Sequence, residues 1–395
     1  MASETRSPAD DRSSIDRRVE AIDAALLEGP VRSVLGDPSA RVVEWRHEPV
    51  GYDFLNPSSG GVYRFEGTAT GTGRAVPWRL VLKVTRSAAG LADESPLPPG
   101  LAAVRDEAVR WDRELRAYES GFLAALDGDL VAAACHGGGR EDDDTGWLWL
   151  EDLGGAAEVW SLGDWERVGR ALGAFNGRFL AGRVPDHDWL GRRWLRVWST
   201  QLTPYHFGRQ LPGGAAWDAP LAREAYPVAL QDRLARLWGG RDALLRAVEA
   251  LPQTCCHLDA HRRNLFLRAA GGATQVVAID WGLVGLAPAG EEIASTLVGT
   301  VASGELPARD AAGLASVLYD AYLGGLREAG WAGDERDVRL AFAAAAGLRA
   351  FSILRLDVAE GAASAEAAAV LADAATLAGL LVELGDEARA LCAGR

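Results

Sequence analysis

The chain has 395 residues, of which 48% are hydrophobic and 24% charged, and its formal net charge is −14 at pH 7. This length and composition are typical of a globular protein with one large or two ordinary domains. The acidic balance disfavours nucleic acid and anionic membrane as the main partner. Residues 1–15 are polar and lack the apolar core of a signal peptide, and charged residues interrupt the apolar run at 362–384. We therefore expect a cytoplasmic protein without a membrane span.

The predicted elements change character near residue 155. Residues 15–35 have helical spacing, and one further long helix is predicted at 101–121 within a region that otherwise favours strands. The predicted strands are 42–50, 62–70, 78–85, 130–135 and 147–150. Longer helices follow at 162–181, 189–202, 230–250, 307–329 and 338–356. We predict a flexible tail at 1–15, an N-terminal lobe at 16–155 and a helical C-terminal lobe at 156–395.

Lys83 is the only lysine of the chain and lies within an apolar, strand-like stretch. In a chain that otherwise uses arginine throughout, a single lysine indicates a position that needs a compact ammonium and not a planar guanidinium. We predict that it holds a phosphate from inside a strand. The alternative is that one lysine survived by chance at a strand edge.

Three polar residues suit phosphoryl transfer. Asp259 precedes Asn264 by five residues, and Asp280 follows an apolar run sixteen residues later. This chemistry needs a carboxylate near the attacking hydroxyl and oxygen ligands for magnesium beside the triphosphate. Asp259 suits the first role, and Asn264 and Asp280 suit the second. A hairpin of residues 264–268 and 275–280 would bring them to one edge.

The motifs His257-x-Asp259-x4-Asn264 and Ile279-Asp280-Trp281-Gly282 resemble those of the aminoglycoside phosphotransferase and choline kinase family, within the protein-kinase-like superfamily. That family has His-Gly-Asp-x4-Asn and Ile-Asp-Trp/Phe, so Leu258 departs from its glycine and Ala260 from its large apolar residue. The resemblance implies a two-lobed α+β protein-kinase-like fold, with a small antiparallel-sheet N-lobe carrying one helix and a larger, mainly helical C-lobe. It also implies transfer of the γ-phosphoryl group of ATP, with magnesium, to an acceptor hydroxyl.

The resemblance assigns further residues to the nucleotide. Lys83 would contact the α- and β-phosphates and pair with a carboxylate on the following helix. Glu114 is the preferred partner and Glu107 the alternative, since both share one helix face with aromatic residues. A glycine-containing loop and an inter-lobe hinge would add further nucleotide contacts, at Ser58, Ser59, Gly60, Glu151 and Leu153.

Other residues of the motif regions are predicted to support the site. His257 is expected to hydrogen-bond within the catalytic loop, and Glu292 to fix that loop. One of Arg262 and Arg263 would offset phosphate charge, while the other forms a surface ion pair. The tryptophan-rich segment 186–198 either packs between helices or forms an aromatic wall of the acceptor pocket.

The predicted function is a small-molecule kinase whose acceptor is aminoglycoside-like or another amino sugar. A metabolic kinase for choline, a sugar or homoserine is the second interpretation. A nucleotide-binding regulator without turnover is a third, and a metal hydrolase built on His257, Asp259 and His261 is a fourth. The motifs do not carry acceptor identity with them, and the oligomeric state stays open.

Overall fold

A computed structural model describes residues 8–51, 58–71, 74–87, 110–126, 128–155, 159–180, 184–359 and 364–394. The chain forms two compact units. The first comprises Met1–Asp127, Val131–Gly155 and Ile279–Leu283, and the second comprises Gly128–Leu130, Ala156–Ala278 and Val284–Arg395. Residues 279–283, predicted in the helical lobe, belong to the first unit.

The first unit is built on a five-stranded antiparallel sheet with the strand order β1-β2-β3-β6-β5. Its helices are α1 (Pro8–Glu20), α2 (Ala24–Leu35) and α3 (Arg113–Glu119). The strands in this part of the chain are β1 (Arg41–Pro49), β2 (Ser59–Gly71), β3 (Arg74–Arg86), β4 (Leu130–Ala132, at the unit boundary), β5 (Cys135–Arg140) and β6 (Thr145–Glu151).

Strand alternation decides what each face of this sheet carries. On β3, Leu80, Leu82 and Val84 are buried in a core shared with Leu27 and Val31 of α2.

The intervening Lys83 lies opposite Leu148 of β6. Paired residues of an antiparallel ladder share a face. Leu148 packs against Leu115 of α3. The lysine therefore projects on the α3 side of the sheet.

Several predicted elements of this unit differ in extent from the observed ones. Helix α1 begins at Pro8, so the described part of the predicted tail is helical, and residues 1–7 lie outside the described chain. The predicted helix at 15–35 is two helices, because Asp23 caps a new one by accepting a hydrogen bond from the Leu26 N–H (3.0 Å). The predicted strand at 130–135 is the separate strands β4 and β5. Of the predicted helix 101–121, residues 101–109 lie outside the described chain, and the helix seen is α3.

The second unit is mainly helical. Its helices are α4 (Leu162–Arg178), α5 (Trp194–Val197), α6 (Thr203–Phe207), α7 (Pro220–Ala225), α8 (Val228–Glu249), α9 (Glu291–Ala302), α10 (Ala311–Glu328), α11 (Glu335–Leu348), α12 (Leu356–Ala359) and α13 (Ala365–Ala393). The strands are β7 (Gly191–Arg192), β8 (Gln253–Cys256), β9 (Leu265–Ala270), β10 (Ala273–Ala278) and β11 (Gly285–Pro288). The predicted helix at 189–202 is instead the short α5 followed by a π-helical turn, Trp198–Leu202.

Helices α4 and α10 pack unusually close together, because glycines face each other across the contact. A Cβ atom at Gly173 would lie 2.1 Å from the carbonyl oxygen of Tyr322, and one at Gly325 would lie 2.0 Å from that of Arg170. No larger residue fits at either position without separating the helices. This contact positions the buried side of α4 against the loop described below.

Helix α13 is long and apolar enough to cross a membrane by length and composition alone. In the fold it packs against α8 and α11, and its buried face includes Leu371, Leu377 and Leu381. A buried core helix passes the same length test.

Strand β8 leads directly into the Asp259 motif. It pairs antiparallel with β11, with Cys256 opposite Gly285 and Gln253 opposite Pro288. Strands β9 and β10 form the predicted hairpin, with Leu265 opposite Ala278. Asn264 therefore stands immediately before the hairpin, and Asp280 follows it by two residues.

Candidate active site

Within the first unit, Lys83 lies between two carboxylates. Its Nζ is 2.5 Å from Oε2 of Glu114 and donates to Oδ1 of Asp280 at 2.7 Å. The Lys83 side chain is 13% exposed and that of Glu114 2%. The ammonium is thus held inside the protein by charge pairing on two sides.

Electrostatics keep Lys83 protonated. Burial by itself would lower the pKa of this ammonium, but the charges of Asp280 and Glu114 outweigh burial, and the pKa is raised. Glu114 also accepts a hydrogen bond from the Trp281 backbone N–H (3.2 Å). The neighbouring Arg113 guanidinium donates to the Gly282 carbonyl (2.8 Å). Helix α3 therefore fixes both the lysine and the Asp280 segment.

Asp280 adopts a backbone conformation that few non-glycine residues take. Its φ is 61°, in the left-handed region, which aspartate tolerates better than most residues. Outliers of this kind are concentrated at functional sites. The turn directs the Asp280 carboxylate to Lys83.

The predicted glycine-containing loop is described only from Ser58 onward. The Ser58 carbonyl accepts from the Arg86 N–H (2.9 Å), and Ser59 and Gly60 already belong to β2. A Cβ atom at Gly60 would lie 2.7 Å from Cγ1 of Val84, so this glycine permits close packing on β3. The expectation that Ser59 and Gly60 lie in a loop is therefore wrong, because both belong to β2, where Ser59 pairs with Thr85 and Gly60 lies at a shift in the register. Residues 52–57 lie outside the described chain.

The predicted hinge residues lie at the end of β6, which is Glu151, and just beyond it. Glu151 exchanges backbone and side-chain hydrogen bonds with Ala134: its N–H donates to the Ala134 carbonyl, and its carboxylate accepts from the Ala134 N–H, both at 2.9 Å. Leu153 lies in a turn that Asp152 fixes by accepting from the Gly154 N–H (3.0 Å). Glu107, the alternative partner of Lys83, lies outside the described residues.

In the second unit, Asp259 and Asn264 are in direct contact. The Asn264 amide nitrogen donates to both the backbone carbonyl and the carboxylate Oδ2 of Asp259, each at 3.0 Å. The oxygen of the same amide consequently points away from Asp259. The Arg263 N–H donates to Nδ1 of His261 (3.3 Å), and the Nε2 atom of the same ring lies 3.4 Å from the Asn264 amide nitrogen and 3.7 Å from Oδ1 of Asp259.

Glu292 holds the loop that carries Asp259. Its Oε1 accepts hydrogen bonds from the backbone N–H groups of His257 (2.5 Å) and Leu258 (3.2 Å). His257 in turn accepts the Asp259 N–H at its Nδ1 (3.2 Å), a hydrogen bond within the loop of the kind expected for His257. Leu258 has a φ of 67°, which explains physically why a glycine would fit this position.

Two buried residues that are not predicted from the sequence support Glu292. Asn176 donates to Oε2 of Glu292 (2.6 Å) and to the Cys255 carbonyl (2.9 Å), and it accepts from the Tyr322 hydroxyl (2.5 Å). Both Asn176 and Tyr322 are fully buried. The available signal was a polar residue on the apolar face of α4, four residues after the buried Leu172.

The two loop arginines have different surroundings. Arg263 pairs with Glu305 (3.4 Å) at the surface and donates to the Ser303 carbonyl. Arg262 is buried, with its guanidinium 4.0 Å from the centre of the Trp160 ring. Burial lowers the pKa of Arg262.

The tryptophan-rich segment contains both buried and partly exposed rings. Trp189 is 4% exposed and stacks on His187, with ring centres 4.7 Å apart. Trp194 and Trp198 are 6.1 Å apart, and Trp198 also contacts Phe207. Packing therefore accounts for Trp189, and the role of the other two in acceptor binding stays a prediction.

The residues do not favour a metal hydrolase. Among the described part of the chain, no group of three or more His, Cys, Asp or Glu side chains is placed to hold a metal ion.

The fold and these two groups of residues define a kinase-like phosphotransferase, and comparison with known proteins assigns the family. Residues 62–332 match the model of the phosphotransferase enzyme family (APH). The chain belongs to that family. The match confirms the predicted enzyme class, a phosphotransferase that acts on a hydroxyl group of a small molecule.

The chain is also similar to solved structures. A microcompartment-associated aminopropanol kinase is 16% identical to this chain and superposes on it with a TM-score of 0.51; the match covers 93% of this chain and 98% of the kinase chain. An aminoglycoside phosphotransferase from Alicyclobacillus acidocaldarius is also 16% identical and covers 90% of this chain and 93% of its own, with a TM-score of 0.44. No curated protein sequence matches the chain. The predicted two-lobed α+β fold is confirmed, and the roles of individual site residues stay predictions.

Proposed function

We propose that this phosphotransferase moves the γ-phosphoryl group of ATP, with magnesium, to a hydroxyl of an aminoglycoside-like or other amino-sugar acceptor. The observation that carries the nucleotide part of this proposal is the buried ammonium of Lys83 between Glu114 and Asp280. A compact, fully protonated cation held by a helix carboxylate suits contact with nucleotide phosphates.

Asp259 is the proposed base. Its carboxylate orients the acceptor hydroxyl and takes its proton while the hydroxyl oxygen bonds to the γ-phosphorus and the bond from that phosphorus to the β–γ bridging oxygen breaks. ADP leaves with that oxygen, and the proton passes from Asp259 to solvent. The hydrogen bonds from Asn264 fix the carboxylate, and Glu292 holds the backbone on which Asp259 is mounted.

The residues assigned to magnesium have suitable chemistry. Mg²⁺ prefers hard oxygen ligands, and Asp280 supplies a carboxylate while Asn264 supplies an amide oxygen directed away from Asp259. When bound, the ion would neutralise charge on the β- and γ-phosphates. Asp280 in this structure is instead paired with Lys83.

The acceptor class rests on the family and on charge. Aminoglycosides are polycationic, and the chain has a net charge of −14, which favours association with cations over anions. A metabolic kinase for choline, a sugar or homoserine is the second candidate, because the family spans both kinds of acceptor.

The direct test is ATP consumption with a panel of hydroxylated acceptors: aminoglycosides, choline, simple sugars and homoserine. We expect an aminoglycoside-type compound to stimulate ADP formation most, with the phosphate recovered on the acceptor. Stimulation by choline, a sugar or homoserine alone would select the metabolic interpretation. Tight ATP binding without turnover on any acceptor would select the regulator.

A matched pair of variants tests the base. Asp259→Ala should abolish acceptor-dependent turnover. Asp232→Ala removes an exposed aspartate from α8 of the same unit and should retain wild-type turnover. Equal activity of both variants would remove Asp259 from the mechanism.

A further inference from the structure

A cavity of about 250 Å³ lies in the second unit at the end of β8 that is away from Asp259. Its walls include Gln253, where β8 begins, and Pro288, its partner in the β11 register. The catalytic loop follows the other end of the same strand, at Cys256. Among the described residues that line the cavity, none belongs to the loop 257–264 that carries Asp259. The cavity is therefore not part of the Asp259 loop.

The inner wall of the cavity carries an unsatisfied carboxylate. Glu291 is 2% exposed, and its Oε1 has no hydrogen-bond partner among the described residues. The Leu195 backbone N–H donates to this carboxyl group. A buried polar atom without a partner costs about 1–3 kcal/mol. Glu291 lines the cavity, and a donor bound there would remove that cost.

Arg349, a buried cation whose charge acts on Glu291, does not supply that donor. Arg349 is also buried and offsets part of the Glu291 charge at longer range. Its guanidinium donates to the Ala345 carbonyl (3.1 Å) and makes no ion pair within 4.0 Å with Glu291. The remaining demand at Oε1 is for a hydrogen bond, which a primary ammonium satisfies with charge assistance.

The rim of the cavity is positively charged, in contrast to the carboxylate of the inner wall. Arg192 and Arg193 line it and are exposed, and neither pairs with a carboxylate in the described part of the chain. By contrast, the third lining arginine, Arg196, is neutralised by Glu249 through two hydrogen bonds of 2.6 and 2.9 Å. Two unpaired guanidinium groups suit a carboxylate or a phosphate.

The wall between these two ends is apolar, and Leu245, Val248 and Leu286 contribute to it. The volume of the cavity, about 250 Å³, lies below the usual range of about 300–1,000 Å³ for ligand pockets. The cavity thus suits a small molecule with a short apolar spacer.

We propose that this cavity binds a small zwitterion, with an ammonium on Glu291, an anionic group on Arg192 and Arg193, and an alkyl spacer between them. Consecutive helix residues point about 100° apart. Glu291 therefore faces the cavity while its neighbour Glu292 holds the catalytic loop. The proposal requires no phosphoryl transfer and stands separately from the proposed function.

Calorimetric titration of the full chain tests the proposal with unbranched ω-amino acids from glycine to 6-aminohexanoate. Butylamine and butanoate are the matched controls, because each carries one of the two charged ends. We expect one member of the series to bind with 1:1 stoichiometry and at least about tenfold more tightly than either control. No binding by any member, or binding no tighter than butylamine or butanoate, overturns the proposal.

Variants of the residues that line the cavity test where the ligand binds. Glu291→Gln, which keeps the side-chain shape, and Arg192→Ala, which changes an exposed side chain, should each weaken binding about tenfold or more. Asp259→Ala should bind as the wild type does. Unchanged affinity in both Glu291→Gln and Arg192→Ala, or loss of binding in Asp259→Ala, would assign the ligand elsewhere and refute this site. Because Arg192 is exposed, its variant stays informative if Glu291→Gln fails to fold.

Discussion

Replacing Lys83 by arginine keeps the charge and changes only its shape. The Lys83 ammonium fits between carboxylate oxygens at 2.5 and 2.7 Å, and its side chain is 13% exposed. A guanidinium is planar and larger, and its donors are fixed in a fork. It cannot place one nitrogen at the same point between Glu114 and Asp280 without moving one of them.

The Lys83→Arg exchange is expected to affect stability less than rate. Overpacking an enclosed site costs about 1–3 kcal/mol of stability, which a chain of this size tolerates. A displacement of about 1 Å at a group that positions a reactant can cost about 100-fold in rate. We therefore expect the Lys83→Arg protein to fold, and its kcat/KM for ATP to fall by about 100-fold.

The assay is steady-state ADP formation at saturating acceptor, with circular dichroism and urea unfolding to verify the fold. Arg79→Lys is the matched control, because it makes the reverse exchange on the same strand at a side chain that is 68% exposed. That control should retain wild-type kinetics. Wild-type kcat/KM in Lys83→Arg would refute the reasoning and make the single lysine an accident of composition.

Glu114→Gln removes one charge of the buried ion pair and should lower kcat/KM for ATP by roughly 10- to 150-fold, the equivalent of about 1.5–3 kcal/mol. The control is Glu119→Gln, on the exposed side of α3, which should leave kcat/KM unchanged. Leu258 has a φ of 67°, a backbone conformation that glycine adopts more easily than alanine. Urea unfolding should therefore find Leu258→Gly about 1 kcal/mol more stable than Leu258→Ala, the reverse of the usual order. An alanine variant as stable as the glycine variant would contradict this prediction. Burial raises the pKa of Glu292 and of Glu291 to about 7 from 4.5, so the folded protein binds more protons between these values and stability should fall as pH rises from 4.5 to 7. Glu292→Gln should remove about half of that slope in urea unfolding at several pH values, and an unchanged slope would exclude Glu292 as its source.

The sequence points more readily to the proposed site residues than to the residues that hold them in place. Asp259, Asn264 and Asp280 stand out because phosphoryl transfer restricts residue types and spacing, and Lys83 stands out because it is the only lysine. Helical spacing nominates Glu114 and Glu107 alike, and the family resemblance favours Glu114, which the structure brings to Lys83.

The remaining features depend on contacts distant in sequence. Asn176 reaches Glu292 across 116 positions and Tyr322 reaches Asn176 across 146, and no local pattern records such pairs. The sequence predicts Gly60 in a loop because glycine is common in turns. In the structure a glycine is required there because β2 packs too closely on Val84 for a larger residue. Tertiary packing overrides local preference at such positions.

The central claim is that Asp259 drives transfer of phosphate from ATP to an acceptor hydroxyl, and the most direct measurement is phosphorylated acceptor formed per enzyme. With the best acceptor of the panel, the wild type and Asp232→Ala should form product at the same rate, and Asp259→Ala should form none above the uncatalysed background. Product formation by Asp259→Ala at the wild-type rate would contradict the account.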